Sequence, residues 1–162
     1  MFKHVLGDYV VKAPRSVFEA QRHRPHPADL MTLAGRRLAY GSEISPYLDV
    51  DQIKELTGEE DFQARGMGEN FSEQRGNCKL EVMMNKAPII REDPDDGIWR
   101  RLRIVPWLVK FEGEQRDNRL FDKVKEEAEG ILAWLVRGCY QWMEHGLTTP
   151  TAIMLATEKF AA

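Results

Sequence analysis

Apolar and polar positions alternate with different spacings along the chain, and each spacing predicts an element. Residues 1–8 have the pattern of a helix end closed by Gly7. Short apolar runs at 9–11 and 37–41 predict strands, because runs of this length bounded by Gly or Pro suit strands better than helices. Residues 28–33 predict a short helix, and 49–57 predict another, because Val50, Ile53 and Leu56 share one helical face. A surface loop over 15–27 separates the first strand from the first of these helices.

The middle of the chain predicts further extended structure. Residues 62–67 and 78–84 are two extended runs, and we expect them to pair as a β-hairpin whose tip, 69–77, projects. A turn over 93–97 precedes another extended run at 103–111, which is interrupted by Pro106. The sequence therefore predicts a hairpin inserted beside a sheet.

The last third of the chain has helical spacing. Asp117 is a plausible N-cap, and the apolar residues after it recur every three or four positions as far as Cys139. Gly130 is a candidate break, Gly146 a helix end, and Thr149 with Pro150 the start of a last helix. We expect an α/β fold with a largely parallel sheet, in which residues 1–112 form the core and 113–162 a C-terminal helical segment.

Composition limits the class of protein. The 162 residues, 43% hydrophobic and 30% charged, suit one soluble globular domain. The net charge of -3 argues against a wholly basic nucleic-acid coat, although positive charge concentrates between 91 and 103. Two distant cysteines and no apolar run near the ~18 to 20 residues of a membrane span lead us to expect a cytoplasmic protein without a membrane partner.

Two polar side chains follow apolar strands. Glu43 comes two residues after the 37–41 run, and Asn85 directly follows the 78–84 run. Open α/β sheets bind ligands at the carboxyl edge, so Glu43 could hold Mg²⁺ and Asn85 could orient a water or a phosphate. The plainer alternatives are a solvated carboxylate and a turn residue before Pro88.

Three arginines, Arg100, Arg101 and Arg103, lie in a segment that we expect to be extended, which would place Arg101 and Arg103 on one face. One of them could reach a phosphate in a neighbouring subunit as an arginine finger. The alternative is a charged edge strand or a salt-bridge network with Asp93, Asp95 and Asp96.

The expected hairpin tip carries Arg75, with Lys79 close behind, and Phe71. These residues could contact a phosphate backbone and stack on a base, although a solvated hairpin suits the two acidic residues of the tip equally well. His23 and His26 could form half of a metal site, but no further cluster completes it. The four tryptophans suit core or interface positions.

In this order and spacing, the motifs resemble the helicase portion of the phage and plasmid primase-helicases, which are superfamily 3 DNA helicases. The segments that carry the resemblance span nearly the whole chain: residues 6–9, 28–33, 35–38, 43, 53–58, 64–65, 85–88, 96–103 and 131–134. The string Gly97-Ile98-Trp99-Arg100-Arg101 is the most specific of them.

The resemblance implies a partial AAA+-like P-loop NTPase core that works in mobile-element DNA replication, in a phage or prophage setting. It implies that Glu43 is the Walker B acid, Asn85 the sensor 1 residue, and Arg100 with Arg101 the arginine-finger segment. ATP with Mg²⁺ would be the cofactors, bound through Glu43 and Asn85.

For DNA, the resemblance implies that the region from Lys54 to Arg65 matches the family's B-prime segment. The hairpin with Arg75 and Lys79 would grip single-stranded DNA. The family assembles as hexameric rings, so the resemblance also implies a homo-oligomer.

The sequence contains no Gly-x-x-x-x-Gly-Lys-Ser/Thr phosphate loop. We therefore expect this chain alone to bind ATP weakly and to be inactive. The alternative function is a non-enzymatic remnant that binds DNA or co-assembles with an intact helicase ring.

Overall fold

The computed structural model describes residues 1–22, 24–58, 60–90 and 97–161. The chain divides into two compact units. The sheet unit is Asp8–Leu102, and the helical unit combines Met1–Gly7 with Arg103–Ala162. The functional division expected between residues 112 and 113 stays a prediction.

The helices and strands follow one another in a mixed α/β order. In chain order they are α1 (Phe2–Leu6), β1 (Val10–Lys12), α2 (Pro27–Met31), β2 (Leu38–Ser42), α3 (Val50–Thr57), β3 (Asp61–Ala64), β4 (Ser72–Arg75), β5 (Lys79–Met83), α4 (Leu120–Glu126), α5 (Ala128–His145) and α6 (Thr151–Ala161).

A small parallel sheet organises the sheet unit. Its strand order is β1-β2-β5, with Val10 opposite Leu38 and Leu38 opposite Lys79. Parallel neighbours need long connections, and the segments between these strands carry α2 after β1 and α3 with a hairpin after β2. The predicted α/β class with a parallel sheet is confirmed.

The predicted hairpin pairing is wrong, although a hairpin exists. β3 pairs antiparallel with β4, which lies inside the expected tip, from Asp61 opposite Arg75 to Ala64 opposite Ser72. The 78–84 run instead enters the parallel sheet as β5. The physical reason is burial: Leu80 and Val82 pack against the core, whereas the residues of β4 are mostly exposed and suit a hairpin edge.

Local capping explains where two helices of the sheet unit begin. The Asp49 side chain accepts a hydrogen bond from the Gln52 N–H (3.0 Å) at the start of α3. The His26 Nδ1 atom accepts one from the Ala28 N–H (3.2 Å) at the start of α2. Each cap satisfies an N–H that the helix itself leaves without a partner.

The core of the sheet unit lies under the sheet and against α3. Its largest fully buried side chains are those of Phe18, Ile98, Val10 and Val17. Gly41 in β2 is needed for this packing, because a Cβ there would lie 2.6 Å from Cε2 of Phe18 and 2.9 Å from Cδ1 of Ile44. The sheet backbone and the Phe18 ring are therefore in direct contact.

The helical unit differs from the prediction in its details. The helix break falls at Glu127, the cap of α4 and α5, and Gly130 lies inside α5. Asp117 accepts from the Arg119 N–H (2.9 Å), but the N-cap position belongs to Arg119. Gly146 ends α5 with a φ of 74°, as the sequence predicts.

No strand forms at 103–111, where the sequence predicts one. Pro106 cannot donate to a ladder, and none of the described residues pairs with this segment as a strand. Most of its apolar side chains are exposed, although Ile104 is partly buried. Trp107 is 90% exposed. None of the described helices is both long and apolar enough to pass through a bilayer.

Candidate functional site at the carboxyl edge of the sheet

Two of the predicted catalytic residues, Glu43 and Asn85, follow neighbouring parallel strands at the carboxyl edge of the sheet. β2 ends at Ser42 and β5 at Met83, and these two residues are opposite each other in the register. Glu43 follows the first directly, and Asn85 comes two residues after the second. Because β2 and β5 are parallel neighbours about 4.8 Å apart, their carboxyl ends lie at the same edge of the sheet. Glu43 and Asn85 therefore both follow strands at that edge.

The backbone at Glu43 has an uncommon conformation. Glu43 has a φ of 55°, the one positive φ among the described residues other than glycine. Immediately afterwards, the Ile44 N–H donates to the Met83 carbonyl (3.3 Å), so the chain bends towards β5. Left-handed backbone costs energy for a residue with a Cβ and is enriched at functional sites.

Arg15 pairs with Glu43 at this edge. Its Nη2 atom lies 3.3 Å from Oε2 of Glu43, and the side chains are 58% and 80% exposed. The pair lies in a shallow cavity of about 370 Å³, whose lining residues are Lys12, Ala13, Pro14, Arg15, Ser42 and Glu43. Such an exposed pair is weak and can open to admit a ligand.

Glu43 is the one carboxylate among the described residues that line this cavity, beside the cations Lys12 and Arg15. The described residues contain no group of three or more His, Cys, Asp or Glu side chains that could hold a metal. Mg²⁺ commonly takes one or two carboxylates and completes its shell with phosphate oxygens and water. Glu43 would be the protein carboxylate, and Asn85 could contact a phosphate or a water.

The arginine segment folds as a turn and is not extended. The Arg101 and Leu102 N–H groups both donate to the Ile98 carbonyl (2.9 Å each), and Arg101 Nη1 donates to the Gly97 carbonyl (2.9 Å). The predicted alternation of faces is therefore wrong, because a turn does not alternate side chains. Arg100 and Arg101 are both exposed on this turn. The aspartates expected to pair with them at 93, 95 and 96 lie outside the described residues.

Arg101 lies at the opposite edge of the sheet from Glu43. It lines a second cavity together with Lys79, the first residue of β5, and Arg37, which precedes β2. The five residues of β2 separate the two edges by roughly 15 Å. The structure does not bring Arg101 together with Glu43 and Asn85.

The four residues expected to contact nucleic acid fall in three places. Arg75 and Lys79 line the same cavity as Arg101. Arg65 lies in the turn of the β3–β4 hairpin, where its guanidinium carbon is 4.7 Å from the centroid of the Phe71 ring. Lys54 is half-buried on α3.

Two residues that the sequence reasoning missed are Arg15 and Arg37. Arg15 falls in the predicted surface loop, three residues after β1 ends at Lys12, and this position close to a strand end is the available signal. Arg37 lies within the predicted 37–41 strand, yet it precedes β2 and is exposed.

Other candidates do not gain a role. His26 caps α2, and His23, the other half of the candidate metal site, lies outside the described residues. Three of the four tryptophans, Trp107, Trp134 and Trp142, are largely exposed, so they are not core residues. Trp99 packs partly buried against the core.

No protein-family model matches this chain. A search of curated proteins finds a distant relative, "Putative helicase L207/L206" of Acanthamoeba polyphaga mimivirus, with 26% identity over 125 residues. The match covers 67% of this chain and 13% of the viral protein, so the chain spans about one eighth of its length. The chain is thus distantly similar to a helicase-named protein.

Proposed function

We propose that this chain is part of an ATP-dependent DNA helicase of superfamily 3, of the phage or plasmid primase-helicase type, that acts as a hexameric ring. The observation that carries the proposal is the placement of Glu43 and Asn85 at the ends of adjacent parallel strands. The distant similarity to a helicase-named viral protein supports it. The phage or plasmid type and the ring follow from the motif resemblance alone.

In the proposed site, Glu43 would hold Mg²⁺ together with the nucleotide and polarise the attacking water, and Asn85 would contact the γ-phosphate. Arg15 would release Glu43 when the cation binds, because the carboxylate exchanges a weak exposed ion pair for a divalent ion. The segment alone lacks a phosphate loop in its sequence, so these residues act only in a complete site.

Arg101, with Arg100 beside it, would serve a neighbouring subunit. The two edges of the sheet are roughly 15 Å apart, which is too far for Arg101 to reach a phosphate beside Glu43 of the same chain. In a ring, the amino edge of one subunit can face the carboxyl edge of the next, and a guanidinium there offsets charge in the transition state.

The DNA contacts proposed for the ring come from Lys54, Arg65, Arg75 and Lys79. Arg65 and Phe71 in the hairpin turn form a stacked pair that could open onto a base of single-stranded DNA.

A mixing experiment tests the assignment of catalytic roles. In the intact gene product, E43Q and R101A should each lose ATP hydrolysis, because one lacks the magnesium carboxylate and the other the finger. A mixture of the two variants should regain part of the activity, since an intact Arg101 from one subunit meets an intact Glu43 in the next. A mixture as inactive as its components would contradict the shared site, and Arg22→Gln is the matched control on an exposed arginine.

The second candidate function is a non-enzymatic remnant that binds DNA or co-assembles with an intact helicase ring. The lack of a phosphate loop within these 162 residues favours it. Adding the chain to an intact relative should then lower the ATPase rate per ring. An unchanged rate and unchanged ring size would count against this candidate.

A further inference from the structure

A strongly basic cavity opens at the amino edge of the parallel sheet, on the side away from Glu43. It has a volume of about 690 Å³ and is within the size range of small-ligand sites. Its described lining residues are Arg37, Thr57, Arg75, Gly76, Asn77, Cys78, Lys79, Leu80 and Arg101. Four of them are cationic and none is a carboxylate.

Main-chain hydrogen bonds hold two of the cations side by side. The Arg37 N–H donates to the Tyr9 carbonyl (2.8 Å), and the Arg37 carbonyl accepts from the Lys79 N–H (2.9 Å). Residue 37 is thereby tied to the chain just before β1 and to the first residue of β5. The positions of Arg37 and Lys79 are set by the sheet and not by their side chains.

The other two cations reach the cavity from a hairpin and a turn. Arg75 ends β4, and the Gly76 N–H that follows donates to the Glu60 carbonyl (3.2 Å). A Cβ at residue 76 would lie 2.5 Å from that oxygen, so the close approach requires glycine. Arg101 is held by its bond to the Gly97 carbonyl.

No carboxylate of the described residues forms an ion pair with Arg37, Arg75, Lys79 or Arg101. Asp61 is opposite Arg75 in the hairpin register, yet it makes no ion pair with it and does not line the cavity. Like charges held close together repel one another, and a bound anion removes that cost. A phosphate group matches the donors best, because guanidinium groups bind its oxygens in pairs.

We propose that this cavity binds a phosphate group through Arg37 and Lys79, with Arg75 and Arg101 completing the site. The phosphate could belong to a nucleotide or to a single-stranded nucleic acid, since both present the same oxygens. This inference rests on the DNA contacts proposed above for Arg75 and Lys79 and deepens them by adding Arg37 and a bounded cavity. Its test requires neither hydrolysis nor a ring.

Two titrations with this chain test the site and identify the source. Pyrophosphate is titrated by calorimetry, and a fluorescein-labelled oligo(dT) is titrated by anisotropy at several salt concentrations. Arg37→Gln and Lys79→Gln should each weaken binding about tenfold or more, whereas Arg22→Gln, on an exposed arginine outside the cavity, should change it less than twofold. Arg37→Lys should restore much of the affinity.

The two probes separate the sources. Tight pyrophosphate binding with weak oligo(dT) binding would assign the cavity to a nucleotide. Tight oligo(dT) binding, with a salt slope reduced by about one unit in each variant, would assign it to a nucleic-acid backbone. Both results support the site.

The proposal is overturned if neither probe binds, or if Arg22→Gln weakens binding as much as Arg37→Gln does. The first result would mean that the cations are satisfied within the chain, and the second would mean a diffuse charge effect. Circular dichroism of each variant verifies folding. Because Arg37 is exposed, its replacement removes little packing.

Discussion

The sheet unit and the helical unit both carry many apolar side chains, but they use them differently. In the sheet unit, residues such as Phe18, Val17 and Ile98 are fully buried. In the helical unit, none of the described helices α4, α5 and α6 contains a buried residue. Three of the four tryptophans of the chain lie there, largely exposed.

The difference follows from what each pattern can pack against. A parallel sheet with helices offers layers that cover one another, so its apolar faces are removed from water. Two long helices in succession expose most of their apolar stripe unless another layer covers it. Stability should therefore be concentrated in the sheet unit, and the helical unit should be the place of association.

The largest expected effect is the loss of a core side chain. Phe18→Ala should lower the free energy of unfolding by about 3 to 5 kcal/mol, because Phe18 is fully buried and a cavity remains. Trp134→Ala, at a tryptophan that is 64% exposed, should cost much less. Urea denaturation followed by circular dichroism measures both, and equal losses would remove the contrast between the units.

The next effect is a pH dependence of the free energy of unfolding, which arises from Cys78 in the sheet unit. Burial raises the pKa of the Cys78 thiol from 9.0 to about 11, against the lowering effects of a hydrogen bond from the Ala39 backbone and of the Arg37 and Lys79 charges. Between pH 9 and about 11, the Cys78 thiol therefore stays protonated in the folded protein and is deprotonated in the unfolded chain. The stability that the buried thiol contributes is fully present below pH 9 and is lost as the pH rises through about 11.

Urea denaturation between these pH values measures the slope, and Cys78→Ala is the control because it lacks the titrating group. The two proteins share all other groups that titrate in this range. Parallel stability curves for the two proteins would show that burial does not hold the thiol proton.

Replacing each of two glycines by alanine should change the free energy of unfolding in opposite directions. Gly41→Ala should destabilise the sheet unit by about 1 to 3 kcal/mol, since the new methyl group would collide with Phe18 and Ile44. Gly130→Ala in α5 meets no atom within 4 Å and should stabilise the helix by about 0.5 to 1 kcal/mol. Thermal unfolding curves of both variants check the signs, and a stabilising Gly41→Ala would contradict the tight packing of β2.

The last change, Trp134→Glu, should have the smallest effect on stability and the largest effect on self-association. Trp134→Glu should change the free energy of unfolding by roughly 0.5 kcal/mol or less, because the side chain is mostly exposed. It should reduce concentration-dependent association, since a charge on an exposed apolar surface opposes burial there. Light scattering over a range of concentrations measures this, and a wild type that stays monomeric throughout would contradict the expectation.

Much of the fold follows from local patterns. The α3 helix is predictable because Val50, Ile53 and Leu56 share a face, and the end of α5 because Gly146 favours a left-handed backbone. The pairing of β5 was not predictable from its alternation, because the same run fits a hairpin and a parallel sheet. Burial of Leu80 and Val82 decides between them, and burial depends on residues far away in the sequence.

The candidate site was predictable at its strand ends and not elsewhere. Glu43 and Asn85 come together because both follow apolar runs that became neighbouring parallel strands. Arg37 depends on which strands pair, so spacing alone does not reveal it, whereas the position of Arg15 soon after the first predicted strand is visible in the sequence. The predicted position of Arg101 on an extended segment is wrong, because main-chain hydrogen bonds to the Ile98 carbonyl form a turn there.

The two main-chain bonds of residue 37 have a consequence for how this position can vary. Since its N–H and carbonyl, and not its guanidinium, join Tyr9 to Lys79, folding places almost no demand on the side chain. A saturation library selected only for folded protein should accept nearly every amino acid there except proline, which lacks the N–H. An arginine preferred at this position under selection for activity would then reflect binding rather than architecture.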